Sequence, residues 1–181
     1  MNEIENIVEG CKRNDQNSQE KLYKYFYPVF FALCKGFFSD NHDILTALNN
    51  GMMKVFKNIN QYDSSKGDFF NWAYTTVRNA ALTLIRDKKT TLTYEINENM
   101  VETSGLNPFK QLEWKDIYFY LDKLPASTRS VCCLYYIEGF SIKEIAGGIN
   151  MKEGTVKWHL NECRSRLKTI FENTQSTEKS A

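Results

Sequence analysis

Apolar side chains recur at three- and four-residue intervals along nearly the whole chain, and a chain with that spacing can bury them only by forming amphipathic helices. Ile4, Ile7, Val8 and Cys11 make a first short stripe, and Leu22, Phe26, Val29, Phe30 and Leu33 a second. Leu48, Met52, Val55, Phe56 and Ile59 follow, then Phe69, Trp72, Ala73, Thr76, Val77, Ala80 and Leu84. No segment alternates apolar and polar residues with the period of two that a half-buried strand needs. The fold class is therefore all-α. Asn17 with Glu20 three residues later has capping-box spacing and is expected to start the second helix. The turn formers of Asn60-QYDSSKGD separate the third helix from the fourth.

The helical spacing fails once. From about Asp87 to Asn107 the chain has few apolar residues, acidic charge and a glycine. A structureless stretch of that length is foreign to one compact domain. The pattern predicts two small helical domains, 1–88 and 108–172, joined by a flexible linker over 89–107 and followed by a disordered tail over 173–181. Asn107-Pro108 reads as a cap with proline at the first helical position. Ile117, Leu121 and Leu124 continue that helix to Pro125. Val131, Leu134 and Tyr135 face inward from the next helix, with Gly139 at its end.

Composition excludes several classes. No apolar run approaches the ~20 residues of a membrane span. The acidic start Met1-NEIENIVEG lacks a signal-peptide core, so a cytoplasmic protein without membrane insertion is expected. Five cysteines at irregular spacing argue against a disulfide framework, and most of them read as buried small hydrophobes. There is no C-x-x-C, and His42 and His159 are far from the cysteines in sequence, so no metal and no cofactor is expected. The net charge of +1 is uninformative, but its distribution is not: residues 54–89 carry +4, residues 90–123 carry −3 and residues 124–171 carry +3. Two basic blocks around an acidic one suit two nucleic-acid-facing modules and a connector.

The second basic block has a layout of its own. Ser141-IKE is a capping box opening a helix with Ile142, Ile145, Ala146 and Ile149. Asn150 stands where a tight turn needs positive φ. Val156, Leu160, Cys163 and Leu167 then form the core stripe of a last helix. This is the arrangement of a helix-turn-helix, whose second helix lies in a major groove. Thr155, Lys157, Trp158, His159 and Asn161 are placed off the core stripe, with Arg164, Arg166 and Lys168 continuing a basic edge. Lys157 can contact phosphate or guanine, and Asn161 can pair with adenine. The same spacing also suits a solvated polar face on a core helix.

Leu124-PASTRSVCCLYYIEGFSIKEIA and Gly154-TVKWHLNECRSRLK resemble region four of bacterial sigma factors of the extracytoplasmic-function (ECF) type. Val55-FKNINQYDSSKGDFFNWAYTTVRNAAL resembles region two of the same family. The resemblance implies a promoter-specificity subunit, not an enzyme, that binds core RNA polymerase. Region four would read minus-thirty-five duplex DNA through Thr155, Lys157, Trp158, His159, Asn161 and Arg164. Region two would open the minus-ten element and hold its single strand through Tyr62, Asp63, Ser64, Lys66, Arg78, Asn79, Arg86 and Lys88, an aromatic-plus-cation neighbourhood of the kind single strands need. Phe69 and Trp72 fit the core stripe and are read as structural. Polymerase docking would fall on Asp43, Asn49, Asn50 and Met53, and an anti-sigma protein is a further implied partner.

The chain departs from the family pattern in its docking helix. Asp43 is followed by Thr46, Asn49 and Asn50 where acids and a glutamine are usual, and Gly51 costs about 1 kcal/mol in a helix interior. Gly147 and Gly148 weaken the first helix of the helix-turn-helix, Trp158 replaces a small residue, and Glu162 stands where a base is common. The neutral docking helix leaves open a helix-turn-helix regulator that no longer engages polymerase. An enzyme finds no support in paired carboxylates, a phosphate loop or a Cys-His pair.

Overall fold

The computed structural model describes residues 3–90 and 114–178. Most of the expected linker and the Asn107-Pro108 helix start lie outside them. Among the described residues the structure is helical, with no strand. It divides into two compact units, one built from 1–35 and 40–84, the other from 36–39 and 85 onward.

The first unit holds α1 (Glu3–Lys12), all but the end of α2 (Gln16–Phe37), α3 (Asn41–Asn58) and all but the last turns of α4 (Phe69–Thr90). α2 does not start at Asn17 as expected. Asp15 caps it, accepting from the backbone N–H of Ser18 at 2.8 Å and from its hydroxyl at 2.5 Å. A carboxylate can take both donors at once, and Asn14 reverses the chain just before it with φ 59°. Glu20 pairs instead with Lys24 at 2.5 Å. Leu22, Phe26, Phe30 and Leu33 are buried, whereas Val29 is exposed, one position off the stripe. Phe26 and Phe30 meet Phe70 of α4 at ring separations of 6.1 and 6.4 Å, closing α2 onto α4.

Gly51 is no weak point of α3. A Cβ placed there would stand 2.8 Å from the Cα of Val77, so the glycine is what lets α3 and α4 cross backbone to backbone. The crossing brings Leu48, Met52 and Val55 of α3 and Ala73, Val77 and Ala80 of α4 into the core. Each large apolar side chain so buried contributes about 1.5–3 kcal/mol.

The second unit holds α5 (Trp114–Leu121), α6 (Ala126–Cys132), α7 (Ile142–Gly148) and α8 (Glu153–Glu178). Ile117, Leu121, Leu124, Cys132, Cys163 and Leu167 share one core cluster. α6 passes into a single π turn over Cys133–Ile137, and Gly139 follows at φ 74°. α8 continues to Glu178, past the expected end at 172, because no glycine or proline interrupts it there.

Two cysteines depart from the reading as buried free thiols that holds for most of the five. Cys132 of α6 and Cys163 of α8 are joined by a disulfide, with Cα atoms 6.6 Å apart. The pairing arises where two helices cross, so sequence spacing carried no sign of it. Cys11, Cys34 and Cys133 are buried thiols as expected, and burial pushes the first two up to about 11 and about 12.

Candidate nucleic-acid interface

The turn between α7 and α8 is built as its residues dictate. The Ser141 hydroxyl accepts from the backbone N–H of Glu144, whose carboxylate accepts from the Ser141 N–H at 2.9 Å. The Ser141 hydroxyl also donates to that carboxylate at 2.6 Å, and this bond together with the one from the Ser141 N–H holds the Glu144 carboxyl below its ordinary value. At the other end Asn150 takes φ 50°, and the Met151 N–H reaches back to the Ala146 carbonyl at 2.8 Å. A β-branched residue would be strained at this position.

α8 buries a wider arc than its apolar stripe. Thr155 and His159 flank Val156 and Leu160 and are buried with them, so these two do not lie on the free face. The reason is α6: His159 Nδ1 and Thr128 Oγ1 stand 3.0 Å apart across the α6–α8 contact, giving the imidazole a polar partner inside the domain. Lys157 is exposed, while Trp158 is half-buried with its ring edge-on to His159 at 4.8 Å. Trp158 thus shields the buried pair and still presents part of its ring.

Asn161 and Arg164 act together. Arg164 Nη1 donates to Asn161 Oδ1 at 2.6 Å, and Arg164 Nε donates to the Tyr136 hydroxyl at 2.8 Å. Burial raises the Tyr136 hydroxyl, which keeps it a neutral acceptor. Tyr136 was not among the expected site residues, because its reach to Arg164 depends on the π turn. Glu162 is bonded to Arg166, which draws its charge away from the free face.

In the first unit the loop after α3 folds into a compact ring. Short 3-10 turns cover Ile59–Gln61 and Ser64–Lys66. The Tyr62 hydroxyl donates to the Gly67 carbonyl at 3.1 Å. Asp63 accepts from the Ser65 hydroxyl at 2.7 Å and the Ser65 N–H at 3.0 Å, which hold its carboxyl below the usual range. The Tyr62 ring stands edge-on to Phe69 at 5.1 Å and tilted to Trp72 at 5.8 Å. Tyr62, Asp63, Ser64 and Lys66 are therefore brought together. Arg78, Asn79, Arg86 and Lys88 are strung along α4, Arg86 about 21 Å beyond Trp72 at the helical rise. Asn79, Arg86 and Lys88 are exposed, and Arg78 is half-buried.

On α3, Asp43, Thr46, Asn50 and Met53 follow at helical spacing along one face, and Met53 is 69% exposed. Asn49 lies beside that face and accepts from the Tyr23 hydroxyl at 2.8 Å.

Comparison with known proteins agrees with this architecture. The Sigma-70 region 2 family model matches residues 22–91, and the Sigma-70, region 4 model matches residues 115–167. Together they take in most of the chain, which belongs to the sigma-70 family and, within it, to the ECF type. It is a promoter-specificity subunit of RNA polymerase. It is 24% identical over 180 residues to the ECF RNA polymerase sigma factor SigW of Bacillus subtilis (strain 168), covering 91% of this chain and 95% of that one. It is 22% identical to the ECF RNA polymerase sigma factor SigE of Mycolicibacterium smegmatis, covering 91% of this chain and 66% of that one. Among solved structures it is similar to CnrH in complex with the cytosolic domain of CnrY, with a TM-score of 0.46, 16% identity and coverage of 92% of this chain and 96% of that one. It is also similar to the sigma factor RpoE of Bartonella quintana, solved with the anti-sigma factor NepR, with a TM-score of 0.46, 18% identity and coverage of 84% and 96%. No helix among the described residues is long and apolar enough to cross a membrane.

Proposed function

We propose that duplex DNA is read by the outer arc of α8, made by the exposed Lys157 and the half-buried Trp158, Asn161 and Arg164, with Thr155 and His159 as buried supports. The observation that carries this reading is the Asn150 turn. It seats α8 on α7 so that the arc begins at Lys157, the fifth residue of α8, within the N-terminal part of a recognition helix that reaches base edges. Lys157→Ala should weaken binding to a promoter duplex several-fold and flatten the slope of log affinity against log salt by about 0.9, as loss of one phosphate contact requires. Titration of labelled duplex across salt concentrations measures both. An unchanged affinity and slope would remove α8 from the interface.

The single-stranded minus-ten element is assigned to the Tyr62–Gly67 loop and the exposed cations of α4. Asp63 and the loop N–H groups supply the polar edge that a flipped base needs, and such extrusion costs a few kcal/mol. The proposed domains are 1–90 and 108–178, since α4 runs to Thr90 and α8 to Glu178. The chain is read as a cytoplasmic binding subunit that performs no reaction of its own, with an anti-sigma protein as its regulatory partner.

Polymerase docking is assigned to the Asp43–Met53 face of α3. Thr46 and Asn50 offer neutral contacts in place of carboxylate–arginine pairs, and Met53 offers adaptable apolar surface. Docking should therefore fall only weakly between low and high salt, and Asp43→Ala should cost more affinity than Asn49→Ala. Titration with core polymerase at two salt concentrations tests this. A steep salt dependence would show that other charge pairs dominate. Absence of binding would favour a regulator independent of polymerase.

A further inference from the structure

α1 lies before the matched region 2, which begins at residue 22, yet it packs on the 3-10 turn that opens the Tyr62 loop. Its last residue, Lys12, holds its ammonium 5.8 Å from the centre of the Tyr62 ring. Phe69 and Trp72 back the same ring from α4. The Tyr62 ring thus has aromatic neighbours from α4 and, besides them, a cation that neither the loop nor α4 supplies. Lys66, at the loop's far end, is 83% exposed and 3.7 Å from Asp63, so basic groups flank the loop from two directions.

Lys12 is also poised to change partners. Its ammonium is 2.8 Å from the Glu9 carboxylate, with the side chains 27% exposed on Lys12 and 52% on Glu9. An ion pair between neighbouring turns of one helix with a half-exposed carboxylate is worth little, so a phosphate can take the carboxylate's place at small cost. A nucleic-acid strand whose base enters beside Tyr62 brings a phosphate within one nucleotide of that base.

We propose that α1 is a working part of the single-strand site: Lys12 positions the Tyr62 ring and exchanges Glu9 for a backbone phosphate when a single strand engages the loop. This rests on the assignment of that loop to the single strand. Lys12 acts on affinity and on the salt dependence, and base choice stays with the loop.

The test uses the full chain assembled with core RNA polymerase and a labelled pool of single strands about twelve nucleotides long, a length within the usual footprint of such sites. Lys12→Ala should weaken binding several-fold and flatten the log–log salt slope by about 0.7, the value for one phosphate on a single strand. Lys12→Arg should restore both. Tyr62→Ala, measured beside them, separates the two layers of inference. If Tyr62→Ala weakens binding while Lys12→Ala changes neither affinity nor slope, the role of α1 is overturned and the loop assignment stands. If Lys12→Ala weakens binding with an unchanged slope and Lys12→Arg fails to rescue it, Lys12 is structural and the proposal is overturned. If neither Tyr62→Ala nor Lys12→Ala has an effect, the loop assignment falls and the proposal with it.

Discussion

Opening the Cys132–Cys163 bond should lower the stability of the C-terminal unit by about 3–4 kcal/mol. The two cysteines are 31 residues apart in sequence, and a cross-link closing a loop of that size removes about that much freedom from the unfolded chain. Both sulfurs lie in the core cluster with Leu121 and Leu167, so the bond ties α6 to α8 from the inside. Against the roughly 5–15 kcal/mol typical of a whole domain, the loss is large. It should appear as a fall of more than about 10 °C in the melting midpoint of this unit on adding reductant. The Cys163→Ala variant should melt low with or without reductant. A thiol count on protein denatured without reductant should find three of the five cysteines free. Five free thiols and a midpoint indifferent to reductant would mean that the pair stays reduced.

Gly51→Ala should destabilise the N-terminal unit by about 1–2 kcal/mol, although helix propensity alone favours alanine by about 1 kcal/mol. The added Cβ would stand 2.8 Å from the Val77 Cα and 3.0 Å from the Val77 Cβ. Backbone cannot rotate away as a side-chain end can, so α3 and α4 must separate and the contacts around Met52 and Ala73 loosen. Adding Val77→Ala should recover only part of the loss, since the nearest atom is the Cα. Urea unfolding of the three variants against the parent measures this, and a stabilised Gly51→Ala would show that the helices part freely.

These two cases also mark what could and could not be foreseen. Local chemistry was legible. The Ser141–Glu144 box and the left-handed Asn150 depend only on residues within a few positions of one another, and the structure has both. Helices were legible because apolar spacing is set by the helix itself. Tertiary partners were not. Gly51 looked like a defect until Val77 came to meet it. His159 looked free until Thr128 approached from a helix about thirty residues earlier. Asp15 displaced Asn17 as the cap because two local candidates competed and the carboxylate could take two donors. Thr155 and His159 fell inside because a helix packed closely on a neighbour buries more of its circumference than its largest apolar residues trace.

On the proposed assignment of α8 to duplex DNA, the tie between Arg164, Asn161 and Tyr136 bears on how quickly the protein leaves DNA. A free arginine at an interface must lose its torsional freedom when the complex forms, at about 0.5–1.5 kcal/mol for a long side chain. In this protein Arg164 is ordered by Tyr136 and Asn161 when the domain folds, before any DNA arrives. Preorganisation of that kind lengthens the lifetime of a complex more than it speeds its formation. Tyr136→Phe keeps the ring and removes only the acceptor, and so leaves the charge of Arg164 in place while letting it move. On that assignment, two properties that one arginine usually carries together fall to different groups: how strongly a promoter attracts the protein, and how long the protein stays.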